Sequence, residues 1–324
     1  MNVDRDGDRR LSDSRRTLPA QAAIDRRRFL GRAGRMVLGG VAVASRASFP
    51  VRGAAVRDEP RRPIPLKIGI RAASMKMVGE LAVIKTATAM SGISGVELQV
   101  TAGNPNLRNW DAVRRYKAEA DRWAMRIPSL AGVWDRGVSI ASPAAAENVR
   151  LSIRAAEMLG SGVLLLAFFQ SHAPDMTNKD SYAPIVAMLK ATAASAADAG
   201  VVLGLENSLS PADNARLVDM VGHPAVRVYY DLHNMATYGH GEQAIAGVQL
   251  LGKERICAVH VKNGDQRIDE PGPIDWAAAF RALNEIGYEG WYVYESNHDS
   301  VQDCIQDTEK NNTFLRQHVR MPAA

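Results

Sequence analysis

From position 63 onward the chain alternates short aliphatic and β-branched runs with longer stretches rich in Ala, Leu, Arg and Glu. The short runs lie at 66–71, 95–100, 127–133, 163–168, 201–206, 226–231, 256–261 and 291–295, and have the length and composition of buried strands. Helical patterning fills 77–91, 109–125, 143–159, 181–199, 211–221, 241–251 and 273–286, with a last stretch at 300–317. Ser142-Pro143 and Ser210-Pro211 set a capping residue ahead of Pro at a first helical position, and Gly160, Gly200 and Gly287 stand where a helix stops before a strand. Eight strands, each followed by a crossover helix, dictate a parallel sheet, and eight is the number that closes it into a barrel. No G-x-G-x-x-G follows the first strand, which counts against an open doubly wound sheet. The pattern therefore predicts an α/β fold, a single (β/α)8 barrel over 63–324 behind an N-terminal segment of different character, 1–62.

Composition sharpens that division. Of 324 residues 46% are hydrophobic and 23% charged, enough for a real core, and the net charge is +5. Residues 1–62 hold 15 Arg, no Lys and seven acids, a local balance of +8, whereas the remaining 262 residues carry −3. The basicity thus belongs to the tail, and a mildly acidic body without a basic stripe excludes a nucleic-acid partner. Within the tail, Asp25-Arg26-Arg27-Arg28-Phe29-Leu30 precedes the weakly apolar run Met36-Val37-Leu38-Gly39-Gly40-Val41-Ala42-Val43-Ala44. Paired Arg, Phe-Leu and a Gly-containing apolar run resemble a twin-arginine export signal, with small-residue cleavage sites at Ala42-Val43-Ala44 and Gly53-Ala54-Ala55. The apolar run is shorter than the roughly 20 residues of a permanent span. The expectation is export by that pathway, through its machinery, to the periplasm or another extracytoplasmic space, with no stable membrane span. Such a route carries folded proteins, so a metal could be loaded before transport. The two cysteines, Cys257 and Cys304, are too few for a disulfide framework or a Cys-rich zinc site and read as buried thiols, open to oxidation if exported.

The last four strand runs share an oddity. Each is apolar through its middle and ends in a metal-ligand type: Glu206, Asp231, His260 and Glu295. In a closed parallel barrel all C-terminal strand ends open onto one face, so residues 25, 29 and 35 positions apart would converge. Three carboxylates and an imidazole brought together repel unless a cation resolves them. Such a donor set suits one divalent ion, Mn²⁺ first, with Mg²⁺, Co²⁺ or Zn²⁺ as alternatives.

Several short motifs go further. Gly95-Val96-Glu97-Leu98, Leu205-Glu206-Asn207, Tyr230-Asp231-Leu232-His233-Asn234, His260-Val261-Lys262-Asn263, Pro271-Gly272-Pro273-Ile274-Asp275-Trp276 and the approach Ile286-Gly287-Tyr288-Glu289-Gly290-Trp291 to Glu295 are similar to motifs of the xylose isomerase-like TIM barrel superfamily of sugar isomerases and epimerases. The resemblance runs from about 66 to 317. It implies that Glu206, Asp231, His260 and Glu295 hold the metal and that Glu206 and Glu295 double as acid and base on opposite faces of a sugar. Related barrels are often dimers or tetramers, so a homo-oligomer is implied as well. One departure is Asn234, three after Asp231, where sugar epimerases of the family often carry His.

Other residues join the same face. Lys262, two past His260, points the same way by strand alternation and serves either to stabilise an oxyanion and bind substrate or to pair with Asp265 or Glu295. Glu97 orients a ligand, binds substrate or forms only an ion pair in a layer of the barrel. Trp134 and Phe168 offer an apolar wall for a sugar ring, His233 a substrate contact, and His298 a second acid–base; His172 is a weaker candidate. The expected activity is that of a metal-dependent isomerase or epimerase on an unphosphorylated sugar or keto-sugar, by way of an enediolate. A 3-keto-glycoside lyase or hydrolase working by β-elimination on the same metal, with Lys262 and His298 more prominent, is the enzymatic alternative. A non-catalytic metal- and sugar-binding barrel is the alternative of another class. Endonucleases share the barrel, but an acidic body and seven His in all speak against one.

Overall fold

A computed structural model describes residues 66–320. The signal and linker expected over 1–62 lie outside the described residues. Eight parallel strands close in sequence order: β1 (Lys67–Arg71), β2 (Gly95–Gln99), β3 (Ser129–Ala131), β4 (Val163–Phe168), β5 (Val202–Asn207), β6 (Val226–Asp231), β7 (Ile256–Val261) and β8 (Trp291–Tyr294), with β8 pairing back onto β1. The helices are α1 (Val83–Ala87), α2 (Trp110–Arg122), α3 (Ala145–Leu159), α4 (Lys179–Asp198), α5 (Pro211–Val221), α6 (Leu232–Thr237), α7 (Ala244–Arg255), α8 (Trp276–Glu285) and α9 (Val301–His318). Alternate strand positions divide the apolar residues between two layers. Ile68, Val96, Leu164, Leu203, Val228 and Val259 join the layer beneath the helices, while Ala131, Val163, Leu165, Tyr229, Ala258 and Val293 fill the barrel itself. At the barrel floor Gly95 leaves room for Trp291, whose ring lies 3.0 Å from where a Cβ would sit.

Local signals act largely as read. Ser210 Oγ accepts from the Asp213 N–H at the start of α5, with Pro211 as the first helical residue, and Gly160, Gly200 and Gly287 take left-handed φ of +71°, +68° and +67°. Ser142 is different. Its hydroxyl accepts from the Ser139 N–H, and α3 begins at Ala145 without a side-chain cap. The stretch 77–91 yields only the short α1, because Gly79 turns back with φ +80° and packs on Gly103 so closely that a Cβ would lie 2.6 Å from the Gly103 Cα. That contact joins the loops after β1 and β2.

Two irregularities set up the C-terminal face. Helix α6, which the apolar pattern did not suggest, starts directly at the end of β6, where Asp231 Oδ1 accepts from the Asn234 N–H at 2.9 Å. Between β6 and β7 the register shifts: Val228 pairs with Ile256, but Tyr229 pairs with Ala258, which leaves Cys257 as an extra residue. The bulge makes Asp231 and His260 direct cross-strand partners, both facing the barrel interior. Cys257 donates its thiol to the Val228 carbonyl at 3.3 Å. Both cysteines are free thiols.

Candidate metal centre and active site

The four strand-end residues converge as their spacing requires. One donor atom from each of Glu206, Asp231, His260 and Glu295 falls in a cluster whose members lie within 4.8 Å of one another. Glu206, Asp231 and His260 are buried, and the Glu295 side chain is 14% exposed, so the cluster opens to solvent on the Glu295 side. His260 stands at its centre. Its Nδ1 lies 3.0 Å from both Glu206 Oε1 and Glu295 Oε2 and 4.0 Å from Asp231 Oδ2. On the other side of the ring, Nε2–H donates to Glu97 Oε2 at 3.3 Å.

Glu97 is fully buried beneath this cluster. It lies outside the lining of the cleft above, against His260 and in an ion pair with Arg71, a placement that suits the orienting and ion-pair readings and not a substrate contact. Its Oε2 also accepts from Ser129 at 2.6 Å and from Tyr229 at 3.1 Å, and Arg71 Nε lies 3.1 Å from Oε1. Burial alone would raise the Glu97 carboxyl, but His260, Arg71 and Ser129 outweigh it and hold it down at about 2. His260 shifts the opposite way: burial opposes its charge, yet Glu206 and Glu97 push it up to about 9. This is the arrangement of a metal-ligating histidine, with one nitrogen fixed by a carboxylate and the other facing the ligand set.

Charge accounting tests whether a divalent ion fits. Among the described residues, Glu97, Glu206, Asp231 and Glu295 meet only Arg71 and Lys262 as permanent cations, a deficit of two charges that one divalent ion would cancel. Asp231 Oδ2 is buried with no aligned hydrogen bond, its nearest partner being the Lys262 ammonium at 2.7 Å. Three carboxylates and an imidazole are a hard, oxygen-rich set of the kind that Mn²⁺, Mg²⁺, Co²⁺ and Zn²⁺ accept.

Lys262 points toward the centre as alternation requires. Its Nζ bridges Asp231 Oδ2 and Glu295 Oε2, the latter at 2.9 Å, and it does not pair with Asp265, which accepts from Asn297 instead. Asn234 donates to Glu206 Oε1 at 3.0 Å and steadies that carboxylate. Asn234, His233 and Lys262, with Arg71, Glu295 and Asn297, line a cleft of about 320 Å³ over the centre. Burial keeps His233 below its ordinary pKa, so its ring is neutral near pH 7.

The apolar wall is not as expected. Phe168 is 2% exposed and belongs to the core, and half-buried Trp134 donates Nε1–H to the Ala167 carbonyl at 2.7 Å, outside the cleft lining. Beyond the end of β4, Phe169 stacks on Tyr238 with ring centroids 5.5 Å apart. His172 is exposed in the turn after β4. His298 sits in an adjoining cleft, its Nδ1 3.4 Å from Asp307 Oδ2. Arg71, which the pattern of donor residues does not single out, also reaches the cluster. It ends β1 as the ligands end their strands and ion-pairs with both Glu97 and Glu295.

Comparison with known proteins agrees with this architecture. The xylose isomerase-like TIM barrel model matches residues 86–318. The chain belongs to that family. A 2-epi-5-epi-valiolone 7-phosphate 2-epimerase from Actinoplanes sp. is 34% identical over 126 residues, 38% of this chain and 46% of that enzyme, so the match spans less than half of the relative's length. Two solved structures share the barrel. A D-allulose 3-epimerase from Methylomonas sp., in complex with D-allulose, has a TM-score of 0.65 at 21% identity, over 79% of this chain and 98% of that one. A 3-keto-D-glucoside 4-epimerase from E. coli has a TM-score of 0.64 at 16% identity, over 78% and 99%. At these identities the likeness speaks for the fold.

Proposed function

We propose that this family member is a divalent-metal-dependent isomerase or epimerase of an unphosphorylated sugar or keto-sugar, with Glu206 and Glu295 as its acid and base. The observation that carries this reading is the placement of both glutamates 3.0 Å from one imidazole nitrogen, in a single cluster with Asp231. The names of the three relatives, all epimerases, support it. Glu206, Asp231, His260 and Glu295 would hold the ion, which supplies Lewis acidity toward a carbonyl and its neighbouring hydroxyl and so acidifies the C–H between them.

The rest is done by the chain. One glutamate takes the proton from carbon, leaving an enediolate. Return of a proton from the opposite face by the other glutamate inverts the centre, and return to the adjacent carbon moves the carbonyl. The Lys262 ammonium, beside Glu295, places positive charge where the enediolate oxygens gather negative charge. Asn234 keeps Glu206 aimed, and neutral His233 offers a hydroxyl contact at the cleft wall. A phosphate is disfavoured beyond this cleft by Asp265, Asp299, Asp303 and Asp307, in contrast to the 7-phosphate named for the Actinoplanes enzyme.

The test is solvent-deuterium exchange by NMR with Mn²⁺-loaded protein and a panel of ketoses, aldoses and 3-keto-glucosides. Exchange beside the carbonyl, accompanied by an epimer or an aldose–ketose partner and lost in Glu206→Gln and Glu295→Gln, is expected. Release of a free alcohol from a 3-keto-glucoside would reassign the site to β-elimination. Bound metal without exchange into any sugar would leave a binding barrel.

We also infer that residues 1–62 direct export through the twin-arginine pathway. The support is Arg26-Arg27-Arg28-Phe29-Leu30 ahead of a short apolar run. A route for folded chains suits a centre whose ligands come from four different strands, since that centre exists only once the barrel has closed.

A further inference from the structure

Beside the cleft over the metal centre lies a second one, of about 620 Å³, nearly twice the size of the first. Ala73 and Asn297 line both, so the two share a wall and open side by side at the C-terminal face. The second cleft is formed by the turn after β1 and the segment from the end of β8 into α9, with Lys76, Asp265, His298, Asp299, Asp303 and Asp307 among its walls. None of these residues takes part in the proton transfers described above.

We propose that this cleft is a second sugar subsite, and that the substrate is a glycoside whose further unit is hydroxyl-rich and carries no negative charge. The inference rests on the reading of the centre as a sugar isomerase or epimerase, and deepens it by naming the substrate class. Size comes first: the cleft over the ligands is the smaller of the two, and a substrate confined to it would leave the larger one unused. Chemistry comes second. The His298 side chain lines the second cleft yet is only 6% exposed, and Asp307 faces its Nδ1. Burial outweighs the neighbouring aspartates and holds the ring below its ordinary pKa, so near neutral pH it is uncharged, with Nδ1–H toward Asp307 and Nε2 left as an acceptor. The only lysine in the lining is already engaged, donating Nζ to the Asp299 carbonyl at 2.9 Å. Such walls accept hydrogen bonds from hydroxyls and repel carboxylates and phosphates. Asn297 Nδ2 donates to Asp265 Oδ1 at 3.0 Å and its N–H donates to the Gly264 carbonyl, so the shared wall is braced where a glycosidic link would pass.

The experiment compares 3-keto-glucose with 3-keto-cellobiose, the same keto ring without and with a second glucose, on the full chain loaded with Mn²⁺. Affinities are measured by titration calorimetry and exchange by deuterium NMR. The two-ring sugar is expected to bind about tenfold more tightly or better, equivalent to roughly 1.4 kcal/mol. His298→Ala, and Gln306→Trp as a steric plug at an exposed lining position, are each expected to bring the ratio of the two affinities close to one. Equal affinity in the unmodified protein, or an advantage that survives the plug, overturns the subsite while leaving the function reading intact if the single ring still exchanges. Failure of both sugars to bind and exchange contradicts the function reading, and the subsite with it.

Discussion

His260 and Glu97 join the barrel core to the candidate metal centre. Nε2–H of the histidine donates to the buried carboxylate at 3.3 Å, which turns Nδ1 toward Glu206 and Glu295, each 3.0 Å away. Glu97 is held in turn by Ser129, Tyr229 and Arg71. Removing its charge while keeping its shape, as in Glu97→Gln, should lower affinity for Mn²⁺ about 10- to 100-fold with the circular dichroism spectrum unchanged. Unaltered affinity would mean that the contact does not orient the ligand.

The bulge at Cys257 gives a second test. Were Cys257 paired with Tyr229 instead of bulged out, Asp231 would pair with Val259, and His260 would leave the interior face. Cys257→Ala keeps the residue count, so metal stoichiometry should not change. A chain that lacks residue 257 still pairs Tyr229 with Ala258 and Asp231 with His260, so it should keep Mn²⁺ binding where its circular dichroism reports a folded barrel. Lost binding in that folded deletion would refute the register argument.

Arg71 is partnered by Glu97 and Glu295, and its side chain is 21% exposed. Arg71→Met leaves the buried Glu97 without its guanidinium, and the stability measured by urea unfolding should fall by up to about 3 kcal/mol, below the full penalty of a wholly buried pair. Arg71→Lys should recover part of the loss. A variant as stable as the parent would show that Ser129, Tyr229 and His260 suffice for Glu97.

Burial pushes both thiols up to about 12, although Cys304 is in the core and Cys257, against expectation, is only half-buried. A raised thiol pKa keeps the unreactive protonated form dominant throughout the neutral and mildly alkaline range. At pH 8 a disulfide reagent should leave the folded protein unmodified, and both cysteines should react once guanidinium unfolds it. Rapid labelling of the native protein at pH 8 would contradict the burial argument.

How much of this was legible beforehand depends on which physical signal each residue leaves. The eight strands and the convergence of Glu206, Asp231, His260 and Glu295 follow from apolar runs that end in charged residues, a pattern a parallel barrel cannot disguise. Arg71 carries the same strand-end signal, but an arginine is not a metal ligand, so the donor pattern does not single it out. The bulge was illegible: both faces of β7 are buried, so an inserted residue leaves no break in alternation. Helix α6 was hidden by its brevity, six residues held by one Asp231 cap. Phe168 looked like a cleft wall, but at the end of β4 it faces the helices rather than the site.

The export proposal is tested on the intact chain. Arg26→Lys with Arg27→Lys should abolish appearance of the protein in the periplasm of a bacterium that has the pathway, while cytoplasmic accumulation continues. Undiminished export of the double variant would assign the tail another role.

The central claim, one divalent ion held by four strand-end residues, is tested most directly by the anomalous scattering of Mn²⁺ in crystals of the chelator-treated and reloaded protein. The account predicts a single strong peak bounded by Glu206, Asp231, Glu295 and His260 Nδ1, and its loss in Asp231→Asn. A peak elsewhere, or none at saturating Mn²⁺, would contradict it.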